Sequence, residues 1–202
     1  MKPIIRVEKV SKKFAGKTIF HEVSFDVYAG EILVLMGASG VGKSTLLNLI
    51  GQLDSDFEGS IKYDESVFEG NQIPFPFVFQ ESESLLPWKT VEDNIRLVKG
   101  DFQKDSLDEI LHLVSLESHR YKMPHELSGG MKQRVGIARA LVCHSKVLLM
   151  DEPFSSLDLG LRTKLQDLII DIKKQRGLTV IFVTHDLEEA KRIGDRVISL
   201  CS

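Results

Sequence analysis

The sequence predicts an α/β fold built on a mainly parallel central sheet. Three observations carry that expectation. The apolar run Ile32 to Met36 leads into the glycine-rich stretch Gly37 to Thr45 (GASGVGKST), and a helical pattern follows at once in Thr45 to Ile50. Short apolar runs at 146–150, 179–183 and 196–200 then alternate with helical stretches, the order that a parallel sheet with helices on both faces requires. Two of those runs end in groups that bear chemistry, Asp151-Glu152 and Thr184-His185.

Gly37 to Thr45 fits the pattern G-x-x-x-x-G-K-[ST] through Gly37, Gly42, Lys43 and Ser44. Its glycines let the chain turn sharply, so that several N–H groups of the stretch Gly37 to Thr45 converge on one anion. The positive end of the following helix points the same way. Lys43 adds a full charge for the β- and γ-phosphates of a nucleotide, and the Ser44 hydroxyl is placed to ligate Mg²⁺.

The bulk numbers bound the rest. A chain of 202 residues suits one large α/β domain, and 43% hydrophobic content suffices for an ordinary core. With 26 basic and 29 acidic residues the net charge is −3, which gives no electrostatic footprint for nucleic acid. Cys143 and Cys201 lack zinc-like spacing and are expected as thiols in a reducing compartment. No apolar run approaches the ~18 residues of a membrane helix. The first ten residues alternate too regularly for a signal peptide. A soluble, intracellular chain is expected, with any membrane part supplied by another chain.

In order along the chain, Ile4 to Val10 alternates as a strand with one wet face, Ala15-Gly16-Lys17 turns, and Ile19 to Val27 returns as a second strand. These form an N-terminal antiparallel β unit ahead of Ala29-Gly30 and the buried strand. Phe14, beside the turn, is either a packing aromatic or a ring that stacks on a base. Ser60 to Tyr63 is a short strand after a loop at 51–59. Pro74 to Gln80 (PFPFVFQ) reads as an aromatic-rich strand. The polar loop after it carries an exposed-looking Leu85-Leu86-Pro87-Trp88, in which Trp88 packs either on its own domain or on a partner.

Thr90 to Asp93 resembles a capping box and opens a helix to about Val98. Leu107, Ile110, Leu111 and Val114 recur at helical spacing, giving a helix over about 106–116. Ser128 caps a helix over Gly129 to Val142. The region from Gln80 to Ser128 is helical where the start is strand-rich, and reads as an inserted helical lobe. Lys146 to Met150 is a buried strand. Leu161 to Gln175 is a helix with the stripe Leu161, Leu165, Leu168, Ile169 and Ile172. Thr179 to Val183 is a strand, Asp186 caps a helix to Ile193, and Arg196 to Leu200 closes the sheet.

Three constellations carry chemistry. Asp151 and Glu152 follow a buried strand, where open parallel sheets place their ligands. Asp151 can hold Mg²⁺, and Glu152 can face an attacking water as general base. Leu127 to Arg134 (LSGGMKQR) is a serine-capped helix start with two glycines, a second small anion site. Two such sites on one chain make sense if this one meets the nucleotide of another copy. His185 lies at the same sheet edge as the acids. A lone histidine is more often structural, and here a phosphate contact competes with that reading.

Taken together these residues resemble the ATPase subunit of ABC transporters over nearly the whole chain. Gly37 to Thr45 matches the Walker A loop, Gln80 the Q-loop glutamine, and Leu127 to Gln133 the LSGGxxQ signature. Val147 to Glu152 matches Walker B with its catalytic glutamate, Ser156-Leu157-Asp158 the D-loop, and His185 the switch histidine. Phe14 falls where the family stacks adenine. The resemblance implies a P-loop NTPase fold in one domain, 1–202, with a helical subdomain inserted at about 81–145.

It further implies ATP and Mg²⁺ as ligands. Lys43, Gln80, Glu152 and His185 would be catalytic, and Ser44, Gln80 and Asp151 would hold the metal. Phe14 and Gly37 to Thr45 would bind the nucleotide, together with Ser128, Gly129 and Gly130 of a second copy in a head-to-tail dimer. Transmembrane permease subunits and a solute-binding protein would be partners, with the chain peripheral on the cytoplasmic face of the membrane. QESxxLLPW and HELSGGMKQRVGIARAL look most like importers of the nitrate, sulfonate and taurine type. The sequence ends soon after Asp195-Arg196-Val197, where larger members continue into a regulatory domain. Competing readings are an exporter or lipoprotein-release ATPase, a non-transport ABC ATPase, and a small P-loop kinase, which LSGGMKQR disfavours.

Overall fold

Alternating side chains on buried strands send every second residue to the opposite face, and this divides the core in two. The structure, a computed structural model, describes residues 2–67, 75–80, 85–97, 104–143 and 145–200. Its strands are β1 Ile5–Phe14, β2 Lys17–Val27, β3 Ile32–Met36, β4 Glu58–Tyr63, β5 Phe77–Val78, β6 Val147–Asp151, β7 Thr179–Val183 and β8 Arg196–Ser199. Its α-helices are α1 Lys43–Ile50, α2 Val91–Arg96, α3 Lys104–Leu113, α4 Gly129–Val142, α5 Leu159–Arg176 and α6 Leu187–Ile193. A five-stranded sheet runs β5-β6-β7-β3-β8 with every pairing parallel, and a three-stranded antiparallel sheet runs β2-β1-β4.

Ile32, Val34, Leu148, Met150, Val180 and Phe182 share one core with Leu165 and Ile169 of α5 and Ala190 of α6. The residues between them, Leu33, Leu35, Val147, Leu149, Ile181 and Val183, share the other core with α1 and with Ile5, Val7 and Val10 of β1. A one-residue slip in any of these strands would exchange the two cores, so burial on both faces fixes the register.

Caps decide where helices begin. Oγ of Ser128 accepts from Met131 N (3.3 Å), and Asp158 Oδ1 accepts from Leu161 N (3.0 Å). The second cap starts α5 at Leu159, two residues ahead of the expected Leu161. Helix α3 stops at Leu113, short of the expected 116, because Ser115 turns out of the helical region with φ 53°. The apolar set Leu107, Ile110, Leu111 and Val114 is nonetheless buried as its spacing requires. Strands β1 and β2 outrun their alternation, since antiparallel pairing continues through bulges to Phe14 opposite Lys17.

Two expectations need correction. The strand at 74–80 shrinks to Phe77–Val78: Pro76 has no N–H to give, and only its carbonyl joins the ladder, accepting from Leu149 N at 3.0 Å. The Leu85 to Trp88 loop is not exposed throughout. Leu85 is buried in the core that contains α4, and Leu86 is half-buried, whereas Trp88 is 69% exposed. Pro74, Glu81 to Ser84, Val98 and Cys201, on which parts of the sequence reading fell, lie outside the described residues.

Asn94 of α2 holds this loop. It is fully buried; its Oδ1 accepts from Leu86 N (2.8 Å), while its Nδ2 donates to the carbonyls of Leu86 (3.2 Å), Lys89 (2.9 Å) and Thr90 (2.9 Å). One amide thus satisfies the backbone on both sides of Pro87-Trp88. Asn94→Leu would take these partners from Leu86 N and Lys89 O, while Leu86 O keeps Lys89 N and Thr90 O keeps the residue-94 backbone N–H, so urea denaturation should show a loss of about 1–3 kcal/mol. Trp88 is the chain's sole tryptophan, and its fluorescence would report the loosened loop separately.

Candidate active site

Parallel pairing brings the carboxyl ends of β5, β6, β7 and β3 to one edge of the sheet. Gln80 follows β5, Glu152 follows β6, His185 follows β7, and the glycine loop follows β3. Hydrogen bonds from Glu152 N to Val183 O (3.0 Å) and from Thr184 N to Leu35 O (3.3 Å) lock these ends together.

The glycine loop is built as its sequence demands. Gly42 has φ 96°, and a Cβ there would lie 2.5 Å from Ile19 Cγ2 and 2.7 Å from Phe20 Cδ1. Strand β2 therefore presses on the loop, and only glycine fits. A Cβ at Gly40 would meet nothing within 4 Å. Ala38, Ser39 and Gly40 are exposed, Val41 is buried, and Gly37 and Thr45 are half-buried. The buried Lys43 curls over the loop, with Nζ donating to the carbonyls of Gly37 and Ala38, both at 2.9 Å.

Ser44 Oγ donates to Asp151 Oδ1 at 3.0 Å. Burial pushes the Asp151 carboxyl above its ordinary value; the Ser44 hydrogen bond opposes this, the Glu152 charge adds to it, and Lys43 counters. A cation beside this pair would relieve the cost of the buried charge. Among the described residues no cluster of three His, Cys, Asp or Glu could hold a metal. One hydroxyl and one carboxylate fit Mg²⁺, which keeps several waters and takes phosphate oxygens as further ligands.

Glu152 takes φ 42°, a conformation that costs a non-glycine residue energy. Its Oε2 accepts from Gln80 Nε2 at 3.2 Å, and its Oε1 lies 3.0 Å from His185 Nδ1. The structure thus gathers Gln80, Glu152 and His185 in one group, next to the Ser44–Asp151 pair.

The remaining site candidates stand apart. Phe14 is 73% exposed at the β1–β2 turn, so its ring is not a packing aromatic. Ser128 and Gly129 are exposed, and a Cβ at Gly129 would meet nothing within 4 Å. Gly130 is approached by Ser156 O and Leu157 Cδ2, each 3.2 Å from where a Cβ would sit. Among the described residues, no hydrogen bond or ion pair joins 128–130 to 37–45.

Sequence reasoning placed Gln133 in the LSGGxxQ stretch without an anchoring role, and it missed the buried Glu189. Gln133 of α4 donates from Nε2 to Phe79 O at 2.9 Å, tying the LSGG helix to the residue before Gln80. Its position four residues from Ile137, on an apolar face, was the available signal. Glu189, four residues after His185, is buried beside Ala190.

A sheet edge with a glycine loop, a hydroxyl–carboxylate pair and a strained glutamate defines a phosphate-loop nucleotide-binding protein. The family model described as "ABC transporter" matches residues 20–155, and the chain belongs to that family. It is an ATP-binding cassette, and ATP hydrolysis is the family's activity. The chain is 42% identical over 199 residues to the aliphatic sulfonates import ATP-binding protein SsuB 2 of Pseudomonas syringae pv. tomato, covering 98% of this chain and 82% of that one. It is also 42% identical over 214 residues to the nitrate transport protein NasD of Klebsiella oxytoca, covering 99% and 81%. Among solved structures, the dimeric ATP-binding cassette MJ0796, in a post-hydrolysis state bound to ADP and Pi, superposes with TM-score 0.84 at 32% identity, covering 97% of this chain and 94% of that one. The fold is that of the ABC ATPases.

The loop geometry separates two glycines that look alike in sequence. Gly42→Ala should cost about 2–4 kcal/mol from backbone strain plus the clash with β2, and Gly40→Ala about 1–2 kcal/mol from strain alone. Thermal unfolding measures both, and a fluorescent ATP analogue should bind far more weakly to the first variant than to the second.

Proposed function

We propose that this chain is the ATP-hydrolysing subunit of a solute importer of the nitrate, sulfonate and taurine type. The observation that carries this is the 42% identity, over 98–99% of the chain, to proteins named for sulfonate import and nitrate transport. In this reading the chain works as a single domain with its helical region around α2 to α4 inserted between β5 and β6. It sits on the cytoplasmic face of the membrane, held by permease subunits, in a system that includes a solute-binding protein. No helix among the described residues is long and apolar enough to cross a membrane itself. Trp88, exposed on a loop held by Asn94, would face the permease.

Each residue of the edge has a role in this proposal. The N–H groups of Gly37 to Thr45 and the ammonium of Lys43 hold the phosphates of ATP, exchanging loop carbonyls for phosphate oxygens. Phe14 stacks on the adenine. Ser44, Asp151 and Gln80 hold Mg²⁺, which when bound spreads the negative charge of the β- and γ-phosphates. Glu152 orients the attacking water and takes its proton at the carboxylate. His185 contacts the γ-phosphate as well as Glu152. In this geometry Gln80 meets one Glu152 oxygen and His185 the other, and the carboxylate keeps lone pairs with which to accept from the attacking water.

A second copy completes the site. Ser128 to Gly130 of one copy would contact the nucleotide held by Lys43 of the other, which the exposure of Ser128 and Gly129 supports. ATP then favours the closed dimer through its differential affinity for closed and open forms, and hydrolysis releases it.

Glu152→Gln should bind ATP, form an ATP-dependent dimer in sedimentation, and lose about 10²–10⁴-fold in turnover. Lys43→Ala should fail to bind the nucleotide. Full turnover in Glu152→Gln would remove Glu152 from the role of base.

A further inference from the structure

Glu189 is a buried carboxylate in α6 for which the mechanism above has no use. Its oxygens are well occupied. Oε2 accepts from the Thr184 hydroxyl at 2.7 Å, Oε1 accepts from Gln166 Nε2 at 3.4 Å, and Arg162 Nε lies 3.7 Å from Oε1. The Thr184 hydroxyl oxygen in turn accepts from Asp186 N at 3.0 Å. Asp186 caps α6 by accepting from Glu188 N (2.8 Å) and Glu189 N (3.3 Å), and its Oδ2 meets Arg162 Nη1 at 3.4 Å.

His185 lies between these two clamped residues. Its own side chain is 63% exposed, and its ring reaches Glu152 Oε1 at 3.0 Å. A ring with solvent on most sides cannot be aimed by packing. The backbone on either side must aim it: Thr184 N is held by Leu35 O, and Asp186 N donates to the Thr184 hydroxyl, which itself donates to the buried Glu189 carboxylate. Holding a charge in the interior is costly unless it is fully paired, and here the pairing partners come from α5 as well as from the turn. Helix α5 begins at Leu159, after its Asp158 cap, and Arg162 lies in its first turn.

We propose that Glu189 is a positioning residue: it fixes the Thr184-His185-Asp186 turn so that the His185 ring is set against Glu152. The inference rests on the reading of His185 and Glu152 as site residues. Through Gln166 and Arg162, the same carboxylate makes the turn move with the start of α5.

The full chain, labelled with ¹⁵N at histidine, gives a direct readout by NMR. The His185 imidazole signals are assigned by their disappearance in His185→Asn. In both Glu189→Ala and Thr184→Val they should move to the positions found in Glu152→Ala. In Glu189→Gln, which keeps an oxygen for the Thr184 hydroxyl, they should stay near those of the unaltered chain. Thr184→Val preserves shape and carries the test alone if Glu189→Ala does not fold. Steady-state turnover gives the second readout. Glu189→Ala should lower kcat about tenfold with little change in ATP affinity, and should add almost nothing in a His185→Ala background. Unmoved His185 signals in the folded variants, or an equal loss in both backgrounds, would overturn the proposal. Full turnover in His185→Ala alone would instead count against the role given to His185, while the NMR result still decides that of Glu189.

Discussion

Four adjacent parallel strands that end at one edge are the constraint on which the rest depends. β5, β6, β7 and β3 pair in register, and each delivers one functional segment to its carboxyl end: Gln80, Asp151-Glu152, His185 and the glycine loop. Parallel strands need long crossovers, and these crossovers carry the helices that cover both faces. Burial on both faces then fixes the register, because a slip of one residue would send Leu33 where Val34 belongs. The distance from Gln80 to Glu152 and that from Glu152 to His185 are thus consequences of core packing, set by residues that touch no ligand.

Much of the site is exposed, and its precision comes from buried polar side chains behind it. Gln133 holds the backbone before Gln80, Asn94 holds the loop that displays Trp88, and the carboxylate of Glu189 holds the turn that carries His185. A buried polar group with all its partners fixes a single arrangement, since any other leaves it unpaired. The chain thereby combines exposed side chains, Gln80 and His185, with buried points of attachment.

The sequence announced its sheet and its chemistry through local rules. Helix α4 begins after Ser128 and α6 after Asp186 because a cap needs only a side chain and the three residues that follow it. β7 spans Thr179–Val183 as its apolar run required. The glycine loop was legible because its spacing is its geometry. The failures were non-local. The strand around Phe77 was overestimated because its aromatic content outweighed the proline that ends its ladder. Leu85 looked exposed because its loop is polar, yet it is buried in the core that contains α4. Glu189 and Asn94 could not be recognised as supports, since the burial of a polar residue is decided by partners far along the chain or across a turn. The exposure of Phe14 removes its packing reading and leaves base stacking as a proposal.

The central claim is that one chain holds half of each ATP site. Mixing two inactive variants tests it directly. Lys43→Ala spoils the phosphate loop and keeps Ser128 to Gly130, while Ser128→Glu spoils the anion site and keeps the loop. Neither should hydrolyse ATP alone. Mixed in equal amounts they should regain turnover, because a mixed dimer contains one intact pairing of loop and anion site. A mixture as inert as its components, or full turnover by Ser128→Glu alone, would contradict the claim that the site is shared between two copies.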